Sequence, residues 1–463
     1  MRPYSLILAM TAGLPLATMA VGDEPKPDPA PAPAAARPAA WTTAVKPKDL
    51  SKSVKKGLDW LVEHQHKDGG WGQGEESAQM QVRGVNAVLV DQSNVADTCI
   101  AALALIRAGS TPTEGPYKGA IAKAVGYVRG QVEASKAESL SVTSVNGTRV
   151  QGKLGPNIDT FLASMLLAEV KGRMPEDENQ PVDLALDKVV DKIKRHQKDD
   201  GSFEGGGWAP VLAQAMSGKG INRARQAGAN VSAMALAKAD IGAKAQAQSF
   251  AFAAAPVAEA PAAEASSKPF SGRASSVGGS SRLMRESGSA KRGKTDGAAG
   301  VELYAQAASL GVLSDSDNTN KERLTALQKK NADLADGPVK DEVRKEIGAI
   351  EDTRKAQVQA QEDVVARLDD KQFLAGFGSN GGEEFLSYMT IGESLVVKGG
   401  KTWETWDASM TQNLDRVQNE DGSWSGHHCI TGRTFCTSSA LLVLMSDRTP
   451  VPIAARDEAK ADR

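Results

Sequence analysis

The residues best able to do chemistry lie close together near the C-terminus of the 463-residue chain. His427, His428 and Cys429 are followed by Arg433 and Cys436, in a chain with only five histidines and three cysteines. An imidazole can act as a general acid or base near neutral pH, and a guanidinium binds carboxylate or phosphate in a planar fork. The segment therefore predicts a site for an anion or another polar ligand, where either histidine could also transfer a proton.

The cysteines of this segment allow a further interpretation. Cys429 and Cys436 are separated by a short stretch that contains Gly432. An exported protein permits a disulfide across such a loop, although three cysteines in all exclude a disulfide-stapled scaffold. The disulfide and the ligand site are compatible, and the sequence leaves both open.

Further polar residues stand where a polar turn gives way to an apolar helix. The turns read VADTC, NIDTF, GGGWAP and NGGEEF. A single Asp at a helix start is commonly a cap, but several such starts beside a histidine pair predict a shared polar site. The acid or base candidates are Asp97, Asp159, Glu383 and His428, and the ligand-binding candidates are His427, His428, Arg433, Trp208 and Glu384.

The elements that must position these residues form a diverged repeat. Residues 54–73, 189–208 and 410–426 each read as an amphipathic helix that ends in Gln, followed by Asp-Gly and an aromatic residue. The glycine can adopt the positive φ that stops a helix. Each segment therefore predicts an outer helix, closed by a tight turn over which the aromatic packs.

A second kind of helix follows these turns, and similar stretches occur elsewhere in the chain. It is poor in charge and rich in small apolar residues, at 95–109, 157–170, 208–216, 299–313, 383–395 and 435–445. A helix that is apolar on most sides is buried on most sides. The alternation of outer and buried helices predicts a helical array or a closed ring.

The Gln–Asp-Gly–Trp turn and the apolar helix after it resemble the repeats of squalene/hopene cyclases and of protein prenyltransferase β-subunits. The resemblance extends over residues 50–230 and 295–447. It implies an all-α fold, an α/α toroid in which an inner and an outer ring of helices surround a cavity. Parallel inner helices would gather their N-termini at one mouth, which attracts anions, and ring closure would bring Asp97 towards His428.

The resemblance also bears on cofactors and activity. Asp97 and Cys99 resemble the Asp-x-Cys zinc ligands of prenyltransferase β-subunits, so His427 or His428 could complete a zinc site; no other cofactor is expected. The protonating D-x-D-D motif of the cyclases is incomplete, since its nearest counterpart, residues 315–318, reads DSDN. Aromatic residues make up only 5% of the chain, too few to line a cyclase cavity. A functional squalene cyclase is therefore not expected.

The N-terminus has the features of a targeting signal. Residues 1–22 combine one arginine, an apolar centre and small residues near a cleavage point, which is typical of a secretory signal peptide. Residues 23–47 form a Pro/Ala-rich spacer, and no stretch predicts a stable membrane span. The chain is expected to be exported, to the periplasm or the extracellular space. Its net charge of −2 does not favour nucleic acid as a partner.

Two stretches divide or extend the predicted toroid. Its first part occupies 48–245 and its second 299–447, with a disordered, low-complexity insertion over 246–298. Residues 318–372 are highly charged, have helical spacing and break at Gly337-Pro338, which predicts a charged helical hairpin. The hairpin is a solvated outer face or a surface for a protein partner, and residues 448–463 form a polar tail.

These observations together predict an exported toroid that binds an unidentified small molecule or polymer at the mouth of its cavity. The alternative is an enzyme, of transferase, lyase or cyclase-like type, that uses the carboxylates and histidines of the same mouth, with zinc as a candidate metal. The identity of the ligand is beyond the sequence.

Overall fold

The computed structural model describes residues 41–76, 87–254, 301–378 and 380–452. The elements in chain order are β1 (Trp41–Thr43), α1 (Lys52–Glu63), α2 (Ala87–Asp91), α3 (Val95–Arg107), α4 (Lys118–Ala134), α5 (Arg149–Leu154), α6 (Ile158–Val170), α7 (Glu176–His196), α8 (Pro210–Gln226), α9 (Ala233–Ala254), α10 (Glu302–Asp333), α11 (Pro338–Val365), α12 (Lys371–Leu374), α13 (Gly382–Lys398), α14 (Gly400–Val417), α15 (Arg433–Leu444), a 3₁₀ turn (Ser446–Arg448) and β2 (Pro450–Pro452).

Six helices of the described residues form a closed inner ring. In order around the ring they are α3, α6, α8, α10, α13 and α15; each packs on the next, and α15 packs on α3. Every residue of α3 and of α6 is buried, as their nearly charge-free sequences require. The prediction of an all-α toroid is confirmed.

Amphipathic outer helices cover the ring. α1 packs on α15, α4 on α3, α7 on α6, α9 on α8 and α10, α11 on α10, and α14 on α13. In α1, Leu58 and Leu61 are fully buried while Lys55 and Lys56 are exposed. This one-sided burial explains the amphipathic spacing, because only one face of each outer helix meets the ring.

The repeat turns lock each outer helix to the following inner helix. The indole Nε1 of Trp71 donates to the Leu61 carbonyl at 2.8 Å, and Nε1 of Trp424 donates to the Leu414 carbonyl at 2.9 Å. Both tryptophans are fully buried. Each ring thus fills the space beneath the turn and also donates a hydrogen bond to a carbonyl in the last turn of the outer helix.

The glutamine of the repeat joins neighbouring outer helices. Gln65 Nε2 donates to the carbonyl of its own turn glycine and to that of Ala120, both at 2.8 Å. Gln418 makes the same pair of bonds, to its turn glycine at 2.8 Å and to Ser53 at 2.9 Å. In the repeat at 189–208, Phe203 replaces the tryptophan and packs on Phe161 at 4.8 Å between ring centroids.

The structure differs from the sequence pattern at three boundaries. α9 continues to Ala254, so the predicted insertion (246–298) begins inside a helix, because alanine-rich sequence has high helix propensity; residues 255–298 lie outside the described residues. β1 pairs antiparallel with β2, so the end of the predicted spacer and the start of the predicted tail form a small sheet. α10 runs unbroken from the ring into the predicted hairpin, whose return arm is α11.

None of the described helices is long and apolar enough to cross a membrane. The predicted signal peptide, residues 1–22, lies outside the described residues.

Six buried charged side chains fill the ring interior near the C-terminal ends of the inner helices. Arg107 Nη1 lies 2.8 Å from Glu393 Oε1, and Lys219 Nζ lies 3.0 Å from both Asp315 and Glu393. Arg223 bonds the Pro450 carbonyl at 3.1 Å, which ties the sheet to this end of the ring. The full cluster is Arg107, Glu169, Lys219, Arg223, Asp315 and Glu393.

Candidate functional site

The opposite end of the ring brings together the N-termini of inner helices. The Ala96 N–H at the start of α3 donates to Asp159 Oδ1 of α6 at 3.1 Å. Tyr304 at the start of α10 donates its hydroxyl to Glu384 at the start of α13. We call the region around Trp208, Tyr304, Phe377, Glu383, Glu384 and His428 the mouth.

Glu384 lies at the centre of the mouth and is completely buried. Its Oε1 accepts hydrogen bonds from the Tyr304 hydroxyl and from the Phe377 backbone N–H, the latter at 3.0 Å. His428 Nε2 approaches the other oxygen, Oε2, to 3.4 Å without the geometry of a hydrogen bond. One carboxylate oxygen is therefore fixed by hydrogen bonds, while the other is buried beside His428 and has no hydrogen bond from the described residues.

A glycine-rich segment before α13 closes over these two side chains. A Cβ added at Gly378 would lie 2.4 Å from Cδ2 of His428, and one added at Gly381 would lie 2.8 Å from Glu384 Oε2. Both distances are shorter than real Cβ contacts allow. Glycine is required here because the backbone packs directly on the imidazole and the carboxylate.

Aromatic rings border the same side chains. The ring of Phe377 lies 4.9 Å from that of Trp208 and 5.4 Å from that of His428, centroid to centroid, in edge-to-face arrangements. Lys153 Nζ lies 5.4 Å from the centroid of Trp208, as in a cation–π contact. Phe377 is 45% exposed, so the mouth presents an apolar surface to solvent next to buried polar groups.

Burial sets the protonation of the mouth. Burial and the neighbouring Glu384 raise the pKa of Glu383 to about 8, and burial together with Glu383 raises the pKa of the Cys429 thiol to about 12. Burial lowers the pKa of His428, although Glu384 opposes this shift. At neutral pH the mouth therefore holds a protonated Glu383, a neutral imidazole and an un-ionised thiol.

Several buried polar atoms of the mouth have no hydrogen-bond partner among the described residues. They are Asn380 Oδ1, Glu383 Oε1, Glu384 Oε2, His428 Nδ1 and His428 Nε2. Leaving one such atom unpaired costs about 1 to 3 kcal/mol. Five in one place identify a site that is incomplete without a further polar partner.

The structure brings together four of the predicted site residues and separates others. Trp208, Glu383, Glu384 and His428 share the mouth. His427 is exposed, and its backbone N–H bonds the Asn380 carbonyl at 2.7 Å.

Two of the predicted acid or base residues have local roles instead. Asn94 Nδ2 donates to Asp97 at 2.7 Å, and Gln151 Nε2 donates to Asp159 at 2.8 Å. Burial raises the pKa of Asp97 to about 7 and that of Asp159 to about 6. α15 does close on α3, but the His428 ring faces Phe377 and α13, whereas the two aspartates fix the starts of α3 and α6.

Arg433 is likewise engaged elsewhere. Its guanidinium pairs with Asp421 and, at 3.5 Å, with Glu75. Both partners are themselves acidic and exposed, so Arg433 braces the loop before α15 rather than offering a free anion-binding fork.

The predicted disulfide is not formed, because Cys99, Cys429 and Cys436 are all free thiols. Cys436 lies in α15 with its Sγ 3.4 Å from the Ile430 carbonyl. Cys429 has a positive φ of 58° and interacts with Glu383 instead. Sequence spacing permits a bridge, but the two side chains take different partners.

The predicted zinc set is not assembled either. Among the described ranges, no group of three or more His, Cys, Asp or Glu side chains is placed to hold a metal ion. Asp97 and Cys99 are fully buried on α3, while His427 is exposed.

Sequence reasoning missed Tyr304, Phe377 and Lys153. Tyr304 opens α10, Phe377 lies within the glycine-rich run GFG, and Lys153 ends α5. The glycine run before Glu383 was the signal that a backbone approaches a ligand or side chain closely. No feature of the sequence indicated that Tyr304 and Lys153 lie near this glycine run.

A separate cavity of about 680 Å³ lies outside the ring between α10, α11 and α13. Asp317, Lys321, Arg354 and Val358 contribute to its walls. It includes none of the predicted site residues, and a protein partner for the charged hairpin remains a prediction.

The geometry of the repeat can be compared with known proteins. Residues 40–134 match the family model of the squalene-hopene cyclase C-terminal domain. This segment contains the first repeat, from α1 through the Trp71 turn to α3 and α4. The resemblance to the terpene cyclase/prenyltransferase-like superfamily is thereby confirmed over these residues. No curated protein and no solved structure matches the chain.

The charged cluster includes the first residue of the incomplete cyclase-like motif. Asp315 is buried and paired with Lys219 at 3.0 Å and with Arg223 at 3.5 Å. The carboxylate that this motif retains at Asp315 is therefore held in ion pairs within the ring.

Proposed function

We propose that the chain is an exported binding module whose mouth holds a small molecule or the end of a polymer. The five unpartnered polar atoms around Glu384 and His428 carry this proposal. A ligand that supplies the missing hydrogen bonds would recover the free energy that they cost. Export rests on the signal-like residues 1–22.

The surroundings of these atoms suit a binding site. Rigid helix starts hold Glu383 and Glu384, and Tyr304 fixes one carboxylate oxygen, so the polar groups are positioned before a ligand arrives. Phe377 adds an exposed apolar contact.

The ring interior favours binding at the mouth over cyclisation inside the ring. The six charged side chains at the opposite end would present charge rather than apolar surface to a hydrocarbon. A buried ionic network is costly to rearrange, so a ligand is expected to stay near the N-termini of the inner helices.

An enzyme remains the second candidate because of one observation. Glu383, with a pKa of about 8, adjoins Glu384, whose carboxylate accepts two hydrogen bonds. A carboxyl group that is protonated at neutral pH, next to a second carboxyl group, could act as a general acid. An enzyme of this kind would also bind its substrate at the mouth, so the two candidate functions share the same site.

A thermal-shift panel tests the binding function. Neutral oligosaccharides, carboxylates, phosphates and amines are added separately to the wild type, to Phe377→Ala and to Val339→Ala, an exposed apolar control on α11. We expect at least one class to raise the melting temperature of the wild type and of the control. A ligand at 100 times its Kd stabilises by about 2.7 kcal/mol.

In the same panel, Phe377→Ala should lose most of that shift because its ring borders the site. The binding function would be contradicted if no class shifted the wild type, or if Phe377→Ala responded like Val339→Ala.

A further inference from the structure

Resting on this binding function, we infer that the ligand is a neutral polyhydroxylated compound, a saccharide or similar polyol, seated against Glu384, His428 and Phe377. The unpaired atoms of the mouth are a mixture of donors and acceptors, and a hydroxyl group is both.

The acceptors among these five polar atoms can be identified directly. Glu384 Oε2 and Asn380 Oδ1 accept no hydrogen bond from the described residues, although His428 Nε2 lies 3.4 Å from Oε2. Glu384 Oε1 is already occupied by Tyr304 and the Phe377 N–H. A ligand must therefore bring donors to at least two positions on this side of the mouth.

The donors follow from the hydrogen bonds that already exist. Glu383 Oε2 accepts the Ile430 N–H at 3.2 Å, so a neutral Glu383 would carry its proton on Oε1, which makes no hydrogen bond within the described residues. A neutral imidazole has one N–H and one acceptor nitrogen, and both nitrogens of His428 lack a partner. A ligand must therefore accept from two groups as well as donate to three.

Other ligand classes satisfy only part of this set. An anion would face the two acceptor oxygens of Glu384 and Asn380 unfavourably. An ammonium group would leave the protons of Glu383 and His428 unpaired, and it would approach the cation Lys153. A hydrocarbon would leave all five atoms unpaired, at a cost of several kcal/mol in total.

The aromatic border adds a place for the apolar part of a sugar ring. Phe377 and Trp208 meet at 74° and form a corner. The C–H face of a pyranose can pack on such a ring while its hydroxyls point towards the polar atoms, because aromatic rings supply a large apolar surface at a fixed orientation. The mouth thus places a flat apolar surface beside polar groups that can form hydrogen bonds with hydroxyls.

Isothermal titration calorimetry with defined probes tests the inference. The probes are the neutral hexasaccharides maltohexaose, cellohexaose, xylohexaose and N-acetylchitohexaose, with inorganic phosphate and putrescine as charged alternatives. We expect at least one hexasaccharide to bind the wild type. Binding should weaken by about tenfold or more in Glu384→Gln, since one hydrogen bond to a charged group contributes about 1.5 to 3 kcal/mol.

Phe377→Ala keeps the test valid if Glu384→Gln does not fold, because Phe377 is largely exposed; Val339→Ala is its control. Loss of saccharide binding in Phe377→Ala, with binding retained in Val339→Ala, supports the inference. Binding of phosphate or putrescine that Phe377→Ala removes, without saccharide binding, overturns the polyol inference and leaves the binding function intact. Saccharide binding that Phe377→Ala leaves unchanged, or no binding of any probe, overturns the inference, and the latter result also counts against the binding function.

Discussion

Replacing Glu393 with alanine is expected to lower the free energy of unfolding by about 3 to 5 kcal/mol. Its carboxylate lies 2.8 Å from Arg107 and 3.0 Å from Lys219 in the ring interior. Without it, three buried cations share only Glu169 and Asp315. Chemical denaturation of the variant and the wild type measures the loss.

The pKa of Glu393 agrees with this role. Burial alone would raise it, but Lys219, Arg107 and Arg223 together bring it well below the ordinary value of 4.5. Because the folded pKa is depressed, the stabilisation is complete above that ordinary value and is lost as the pH falls through the folded pKa. The destabilisation by Glu393→Ala should therefore be largest near neutral pH and shrink in acid.

Glu404→Ala is the matched control, since Glu404 is exposed on α14. It should change stability by less than about 0.5 kcal/mol. Equal effects of the two substitutions at pH 7 would show that the charged cluster does not stabilise the ring.

Replacing either repeat tryptophan with alanine is expected to cost about 3 to 5 kcal/mol of unfolding free energy. Trp71 and Trp424 are fully buried, and each indole also bonds a carbonyl of the preceding outer helix. The substitution therefore opens a cavity and removes the hydrogen bond from the indole to that carbonyl. Denaturation curves of Trp71→Ala and Trp424→Ala measure the two costs separately.

Phe203→Ala provides the comparison, because Phe203 occupies the equivalent position in the repeat at 189–208. Phe203 is only half-buried and has no polar atom to bond a carbonyl, so its substitution should cost clearly less. A loss as large as that of the tryptophans would mean that the turn, rather than the indole and its hydrogen bond, supplies the stability.

The fold could be predicted from the sequence because its signals are local. The apolar residues of α3 and α6 are continuous in the chain, and the Asp-Gly turn after α1 marks where the helix must end. Ring closure depended on the family resemblance, since periodicity cannot say which helix meets α15. The end of α9 was predicted to be disordered, because its alanine-rich sequence also has the composition of a low-complexity segment.

The site was predictable only in part, for a different reason. Glu384 and His428 carried polar chemistry at helix starts, so sequence reasoning found them, but it could not separate them from Asp97, whose carboxylate fixes its own helix start. Tyr304 was missed because it reaches Glu384 from a helix 80 residues earlier. The predicted disulfide is not formed in the structure, because spacing does not fix the direction of a side chain.

The most direct test of the central claim, that the mouth is a ligand site, is an NMR titration of protein labelled on its histidines. Five histidines give few signals, and His428→Gln assigns the one in question. On addition of the ligand class that shifts the melting temperature, the His428 ring signals should move while those of His64, His66 and His196 stay in place. Saturating ligand that left the His428 signals unchanged would contradict the account.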